Sequence, residues 1–405
     1  MAKIENIFFK NSRDRLMDAL HGGVVVLTAY SRMQRGNDMA FGFEQEANFW
    51  WLTGIEAPEW WVIIDGTRGK SWLVAPTISA SHALFDGSLS VEQAKQQSGV
   101  DGVVSRDEGE RMIRDLAKKH SVVYALGEQP YGEYLDFVLN PALKKLYDFL
   151  DRTFNAVQDC RKDLARLRAI KRPEEIMRMK KAVQLTVDAF EFVKSGLERF
   201  SYEYEIEAEF SHYFRAHGAK DHAYDPIVAA GKNACVLHYV QNDAKLKKRE
   251  LVLLDIGARS QGYAADITRT YALGEPTKRQ QVVHEAVRAA QKEIIGLLQP
   301  NILLEQYHRD VRRIMSDALV ELGLMKDVHD EDNLRKYFPH AVSHGLGVDV
   351  HDSLGAPRML EPGMTLTVEP GIYIPEEEIG VRIEDDILIT PRGHENLSGR
   401  LSTEL

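Results

Sequence analysis

Apolar positions along the chain fall either in short unbroken runs or in stripes of helical spacing. In the first part, a helical pattern at Ser12–Leu20 leads through Gly22 and Gly23 into the run Val24–Leu27. The runs Trp60–Asp65 and Ser71–Val74 come next, joined by a turn containing Gly66 and Gly69. Helical patterns at Val91–Gln97 and Glu108–Lys119 precede another apolar run, Val122–Ala125. Short apolar runs bounded by turn residues predict buried strands. Strands alternating with helices predict a layered α/β domain.

Between Asp151 and Lys171 the chain turns basic and polar (CRKDLARLRAIKR), and the pattern changes. We therefore expect two domains, residues 1–158 and 159–405. Pro173 with Glu174 and Glu175 predicts a helix start, because proline fits the first turn and acids suit the helix dipole. Ile176, Met179, Val183, Val187 and Phe190 then share one helical face. A second helix carries Ile206, Phe210 and Phe214. A third runs Thr277–Leu298 and stops at Pro300; a fourth runs Leu303–Leu322 and ends at Gly323, a C′ glycine. Strand character appears at Leu251–Gly257, Tyr263–Tyr271, Thr365–Glu369 and Val381–Ile389. Helices and strands are segregated here, which predicts an α+β domain. The acidic Glu376–Glu378 predicts a solvated turn.

Composition narrows the partners. A chain of 405 residues with 44% hydrophobic and 28% charged residues fits a soluble globular protein. A net charge of -10 argues against nucleic acid or an anionic membrane as partner, since both reward a basic surface. The apolar runs are far shorter than the ~20 residues that span a bilayer. Lys3, Glu5 and Lys10 interrupt any signal-peptide core at the start of the sequence. Cys160 and Cys235 could form one bridge on paper but make no disulfide framework, so we expect a reducing, cytoplasmic setting.

The candidate chemistry lies in the second domain. Asp255 in LVLLDIG and Asp266 in YAADITRTY sit among apolar or small neighbours. A carboxylate there is buried and needs a partner. The short span between them, with Gly257 and Gly262 inside, suits a hairpin that brings the acids side by side. Like charges so placed need a cation, or one must stay protonated. The bland alternative is one salt-bridged core Asp and one turn Asp. Next, HAVSHGLGVDVHD places His340, His344 and His351 in a Gly-interrupted run. Any single one reads most simply as a hydrogen-bonded core histidine; three together point to a site. Glu369 ends an apolar strand at a Pro-Gly turn. Arg382 and Glu384 alternate with Val381 and Ile383, which puts both on one face of a strand, with a surface ion pair as the plain alternative. Asp255, Asp266, His344, Glu369 and Glu384 form an oxygen-rich donor set that suits Mn²⁺, Co²⁺ or another first-row ion. It exceeds the three protein ligands of a usual catalytic Zn²⁺ site. Two ions ~3.5–4 Å apart would use all five.

These residues, in this order and with these flanks, resemble the pita-bread metallopeptidases: aminopeptidase P, prolidase and methionine aminopeptidase. LLDIGARSQGYAADITRT, HAVSHGLGVDVHD, TVEPGIYI and GVRIEDDILIT look like that family's ligand motifs, and the resemblance runs from about Arg161 to the end. Earlier, RGNDMAFGFEQ followed by NFWWLTG resembles the N-domain of aminopeptidase P. Methionine aminopeptidases lack that domain, and creatinase shares the plan without the metal ligands. The resemblance implies a ribonuclease-H-like, creatinase/aminopeptidase P-type N-domain followed by a pita-bread catalytic domain. It implies two divalent ions, Mn²⁺ first, with Co²⁺ or Zn²⁺ as alternatives. Asp255 would hold one ion, Asp266 and Glu384 would bridge both, and His344 and Glu369 would complete the other. His238 in CVLHY, His340 and His351 would line the substrate site, and Glu369 would also move a proton. Arg382 would link Asp255 to Asp38 of the N-domain.

The activity so implied is hydrolysis of the bond between an N-terminal residue and a following proline, by a hydroxide held between the metals. Substrates would be Xaa-Pro peptides, and a homo-oligomer, dimer or tetramer, is expected. A dipeptide-only enzyme is the alternative within this class. No Arg or Lys announces itself as a binder of the free carboxylate that such an enzyme needs. A non-catalytic binding module on the same fold and a metal-free hydrolase of creatinase type are further readings; intact ligand motifs argue against both.

Overall fold

The structure is a computed structural model that describes residues 2–127 and 137–405. It divides into two compact units, Met1–Leu167 and Arg168–Leu405. In the first, a six-stranded mixed sheet has the order β4-β3-β2-β1-β5-β6. Its strands are β1 (Val24–Thr28), β2 (Trp61–Asp65), β3 (Lys70–Val74), β4 (Gly102–Val104), β5 (Val122–Ala125) and β6 (Ala156–Asp159). β1 is antiparallel to β2 and parallel to β5. Every residue of β1 is buried, so Val24–Leu27 is an apolar run without alternation. Val24 and Val26 pack with Ile113, Leu146 and Leu150 of two covering helices.

The first helix, Ala2–Ala19, starts well before the Ser12 expected from the pattern. Helices at Ala47–Thr53, Ala80–Asp86, Pro141–Asp151 and Arg161–Ala169 were not foreseen. Ala47–Thr53 is buried on all sides and so shows no amphipathic stripe. Arg161–Ala169 lies in the basic stretch, which is a charged helix around the buried Leu164.

The second unit combines long helices with small antiparallel sheets. The helices Pro173–Lys194, Glu203–Ala216, Lys278–Leu297 and Leu304–Glu321 fall close to their expected bounds. Thr277 caps the third and Gly323 leaves the fourth at φ +70°. Further strands are β7 (Asp221–His222), β8 (Ile227–Ala230), β9 (Leu251–Ile256), β10 (Ala258–Ser260), β11 (Tyr263–Ala264) and β12 (Ile267–Ala272). They continue as β13 (Thr365–Val368), β14 (Gly371–Ile374), β15 (Ile379–Arg382), β16 (Asp385–Thr390) and β17 (Gly393–Asn396). β9 pairs with β12 so that Asp255 faces Thr268.

The run Val381–Ile389 is two strands, which corrects the single strand expected. β15 pairs with β14 and β16 with β13, and the chain crosses between them at Ile383 and Glu384. The crossing is held because Glu384 N–H donates to the carbonyl of Thr268 at 3.0 Å. Arg382 and Glu384 therefore do not share a strand face, although both turn toward β9 and β12.

Gly257 sets the hairpin. A Cβ there would lie 1.9 Å from the carbonyl oxygen of Ala265 and 2.8 Å from the Tyr224 ring. Gly257→Ala should cost ~1–3 kcal/mol, the usual penalty for overpacking a rigid core. Calorimetry should show Tm falling by at least ~2 °C; an unchanged Tm would mean that the hairpin is not held this tightly.

Candidate metal centre

Five donors converge inside the second unit. β9 contributes Asp255, the residue before β12 is Asp266, the end of β13 leads to Glu369, and the crossing contributes Glu384. His344 sits in the loop whose carbonyl accepts from Thr367 N–H at 3.0 Å. One ligand atom each from Asp255, Asp266 and Glu384 lie within 4.8 Å of one another, as do those of His344, Glu369 and Glu384. The geometry also gathers Asp266, His344 and His351 within that distance, so His351 lies closer to the ligand set than its expected substrate role required.

Four carboxylates meet one guanidinium here. Asp255, Asp266, Glu384 and Arg382 are all buried. Burial, with the neighbouring Asp266, Glu369 and Asp255, pushes the Glu384 carboxyl well above its ordinary range. Asp255 is also raised by burial, against the opposing pull of Arg382. Burial lifts Glu369 to about 7, although His344 opposes it. Burial works against a charged His344, yet Asp266 and Glu369 outweigh it and raise the imidazole to about 9. A set so rich in buried anions fits divalent cations, and its oxygen donors suit hard first-row ions.

Hydrogen bonds aim the donors. His344 Nδ1 lies 3.0 Å from the carbonyl of Gly345 and must donate to it. That turns Nε2 toward the carboxylates, 3.4 Å from both Asp266 Oδ2 and Glu369 Oε1, where it carries a proton in the metal-free chain and gives it up to face a cation. Arg382 Nη2 donates to Asp255 Oδ2 at 2.5 Å. Thr268 donates to Glu384 Oε2 at 2.7 Å. A second chain runs outward: Arg382 Nη1 donates to the Tyr373 hydroxyl at 2.8 Å, and that hydroxyl lies 2.8 Å from His340 Nε2. His340 Nδ1 donates to the carbonyl of Ala341 at 2.8 Å, so Tyr373 is the donor to Nε2. Burial, with Arg382 nearby, lowers His340 to about 4 and keeps it neutral. His238 is on an exposed loop, and His351 is exposed. Asp38 belongs to the first unit, on an exposed stretch.

Several contributors escaped the sequence. The Tyr224 hydroxyl lies 2.6 Å from Oδ1 of both Asp255 and Asp266. Its single proton serves one of them, so the pair shares it. Nothing in the local sequence marks Tyr224, because its partners are far along the chain. Arg269 is buried and donates to the Glu384 carbonyl at 2.6 Å and to Asp385 Oδ1 at 2.7 Å. Asp386 Oδ2 accepts from Asp266 N–H at 3.1 Å. The side chains beside the ligands thus hold the backbone of two of them.

Known proteins share this arrangement. Residues 177–391, just over half of the chain, match the model of metallopeptidase family M24, and residues 9–124 match that of the aminopeptidase P N-terminal domain. The Xaa-Pro aminopeptidase of Escherichia coli (strain K12) is 34% identical, with 98% of this chain and 96% of that protein covered. Among solved structures, proline aminopeptidase P II from Yersinia pestis superposes with a TM-score of 0.83 at 33% identity, covering 98% of this chain and 97% of that one. Aminopeptidase P from E. coli with the inhibitor Pro-Leu gives a TM-score of 0.85 at 31% identity, covering 98% and 96%. With both domain models matched in order and such identity sustained over nearly its whole length, the chain belongs to metallopeptidase family M24, with the N-terminal domain of aminopeptidase P ahead of its pita-bread domain.

Proposed function

We propose that the protein is a metal-dependent Xaa-Pro aminopeptidase, which releases the residue that precedes a proline at a peptide N-terminus. The observation that carries this reading is the cluster of four carboxylates and one imidazole, three of the carboxylates buried, in a chain that also has the aminopeptidase P N-terminal domain. Asp255 would hold one divalent ion, Asp266 and Glu384 would serve both, and His344 and Glu369 would complete the second. Mn²⁺ is the preferred ion, with Co²⁺ and Zn²⁺ as alternatives, which the oxygen-rich donors support. When bound, such a pair of ions lowers the pKa of water to near neutrality and offsets negative charge that develops on the substrate.

The chain's own groups do the rest. Glu369 accepts a proton from the attacking water and passes it to the leaving nitrogen, as a carboxylate beside both can. His351 and His238 donate to the carbonyl oxygen as charge develops on it. His340 lines the pocket with its ring fixed between Tyr373 and Ala341. Arg382 orients Asp255. The leaving nitrogen belongs to proline, so the peptide lacks the N–H that other peptidases grip. The protein acts in the cytoplasm as a dimer or tetramer. Two free cysteines support the first statement. The exposed Leu84 and Phe85, 81% and 82% accessible, support the second. Among the described residues no helix is long and apolar enough to cross a membrane.

A metal-loaded sample should cleave a tripeptide Xaa-Pro-Yaa and lose that activity on treatment with chelator, with Mn²⁺ restoring it. Cleavage of Xaa-Pro dipeptides alone would replace this reading with a dipeptidase. Proton competition supplies an independent check. Glu369 and His344 both titrate above their ordinary values in the folded chain, so the metal-free fold binds more protons than the unfolded chain. Their stabilisation is present at low pH. It is lost as pH rises through about 7 for Glu369 and about 9 for His344. The rise in Tm caused by saturating Mn²⁺ should therefore grow steadily from pH 5.5 to 8.5. An increment that stayed flat or shrank would contradict the carboxylate–imidazole site.

A further inference from the structure

The stretch from His344 to Asp352 carries two imidazoles beside the carboxylates, and they are held by different means. His344 is tied to β13: its N–H reaches Thr367 Oγ1 at 3.3 Å and its carbonyl accepts from Thr367 N–H at 3.0 Å. The ring of His351 makes no hydrogen bond among the described residues; it meets the His344 ring edge-on at 4.3 Å. Its neighbour Asp352, by contrast, is anchored firmly. The Asp352 side chain is 4% exposed, with Oδ1 3.1 Å from Arg168 Nη2. Its Oδ2 lies 4.0 Å from the ammonium of Lys171, whose side chain is 1% exposed. Lys171 Nζ has no hydrogen-bond partner among the described residues, and Asp352, ahead of Glu175, is the main anion that answers it. Arg168 also reaches Asp349 Oδ2 at 3.2 Å.

Space for this clamp comes from Gly347. A Cβ there would lie 2.1 Å from Asp352 Oδ2 and 3.2 Å from Lys171 Cε, with no left-handed backbone to require glycine. The backbone on either side is pinned as well. Arg259 Nη1 donates to the carbonyl of Val348 at 2.7 Å, and Ala264 N–H donates to that of Gly347 at 2.9 Å. The ion pair sits one residue from His351, whose ring has no hydrogen bond of its own among the described residues.

We propose that Asp352, clamped by Arg168 and Lys171 in the space left by Gly347, is a positioning residue that sets His351 against the carboxylate centre. The catalytic part of this inference rests on His351 acting as a donor to the substrate carbonyl in the proposed peptidase reaction. His344 is fixed to β13 through Thr367, and Asp352 meets its loop only through a backbone bridge to Gly345, so loosening the side-chain clamp should spare the metals. Asp352→Asn keeps the shape and removes the charge; Gly347→Ala keeps every charge and displaces the carboxylate.

With Mn²⁺ and a Xaa-Pro-Yaa tripeptide, Asp352→Asn should retain the metal content of the parent and a similar KM, while kcat falls ~10-fold or more, the scale of losing a supporting partner. Combined with His351→Ala it should lose no more than His351→Ala alone, because the two act as one unit. Additive losses, or metal lost in step with activity, would overturn the proposal. A second readout needs neither metal nor substrate. In histidine-labelled, metal-free protein, the His351 ring resonance, identified by its absence in His351→Ala, should shift or broaden in Asp352→Asn and Gly347→Ala while that of His344 stays. If His351→Ala leaves kcat intact, the catalytic role of His351 fails and this spectrum alone decides the clamp. An unmoved His351 resonance overturns it. Should Asp352→Asn not fold, Gly347→Ala gives the same comparison.

Discussion

Four carboxylates brought into one buried space with a single guanidinium is the constraint on which the second unit depends. Each of Asp255, Asp266, Glu369 and Glu384 loses hydration and gains like-charged neighbours, which is why the carboxyls of Asp255, Glu369 and Glu384 are all pushed upward. Such a cluster persists only where the fold is stable enough to carry it and where cations can answer it. The small sheets of this unit serve that end. Their pairings set β9, β12, β13 and the β15–β16 crossing around one point, and two apolar clusters enclose them.

Around that point, hydrogen bonds convert position into aim. The Gly345 carbonyl selects the tautomer of His344, Arg382 holds Asp255, and Thr268 holds Glu384. Arg269 fastens the backbone at Glu384, and the Asp386 side chain fastens that at Asp266. Tyr373 then carries the order outward from Arg382 to His340. Ligand side chains oriented in this way lose little freedom on binding, so affinity is not spent on ordering them.

Legibility in the sequence tracked how local each signal was. Asp255 and Asp266 stood out because a carboxylate in an apolar strand needs an explanation, and Gly257 and Gly262 implied the turn between them. The long helices were visible because one face of each is apolar. Elements buried on every side, such as Ala47–Thr53, carried no periodicity to find. The break at Ile383–Glu384 was hidden because two short strands with different partners follow one another without a turn residue and read as one strand. Tyr224, Arg269 and Lys171 were invisible for another reason: each acts on residues more than thirty positions away or through a carboxylate whose burial only the fold reveals.

Anomalous scattering at the manganese edge from crystals of the Mn²⁺-loaded protein addresses the central claim most directly. Two peaks ~3.5–4 Å apart are expected, with Asp266 and Glu384 each within bonding distance of both ions. A single peak, or two peaks of which neither Asp266 nor Glu384 reaches both, would contradict the account.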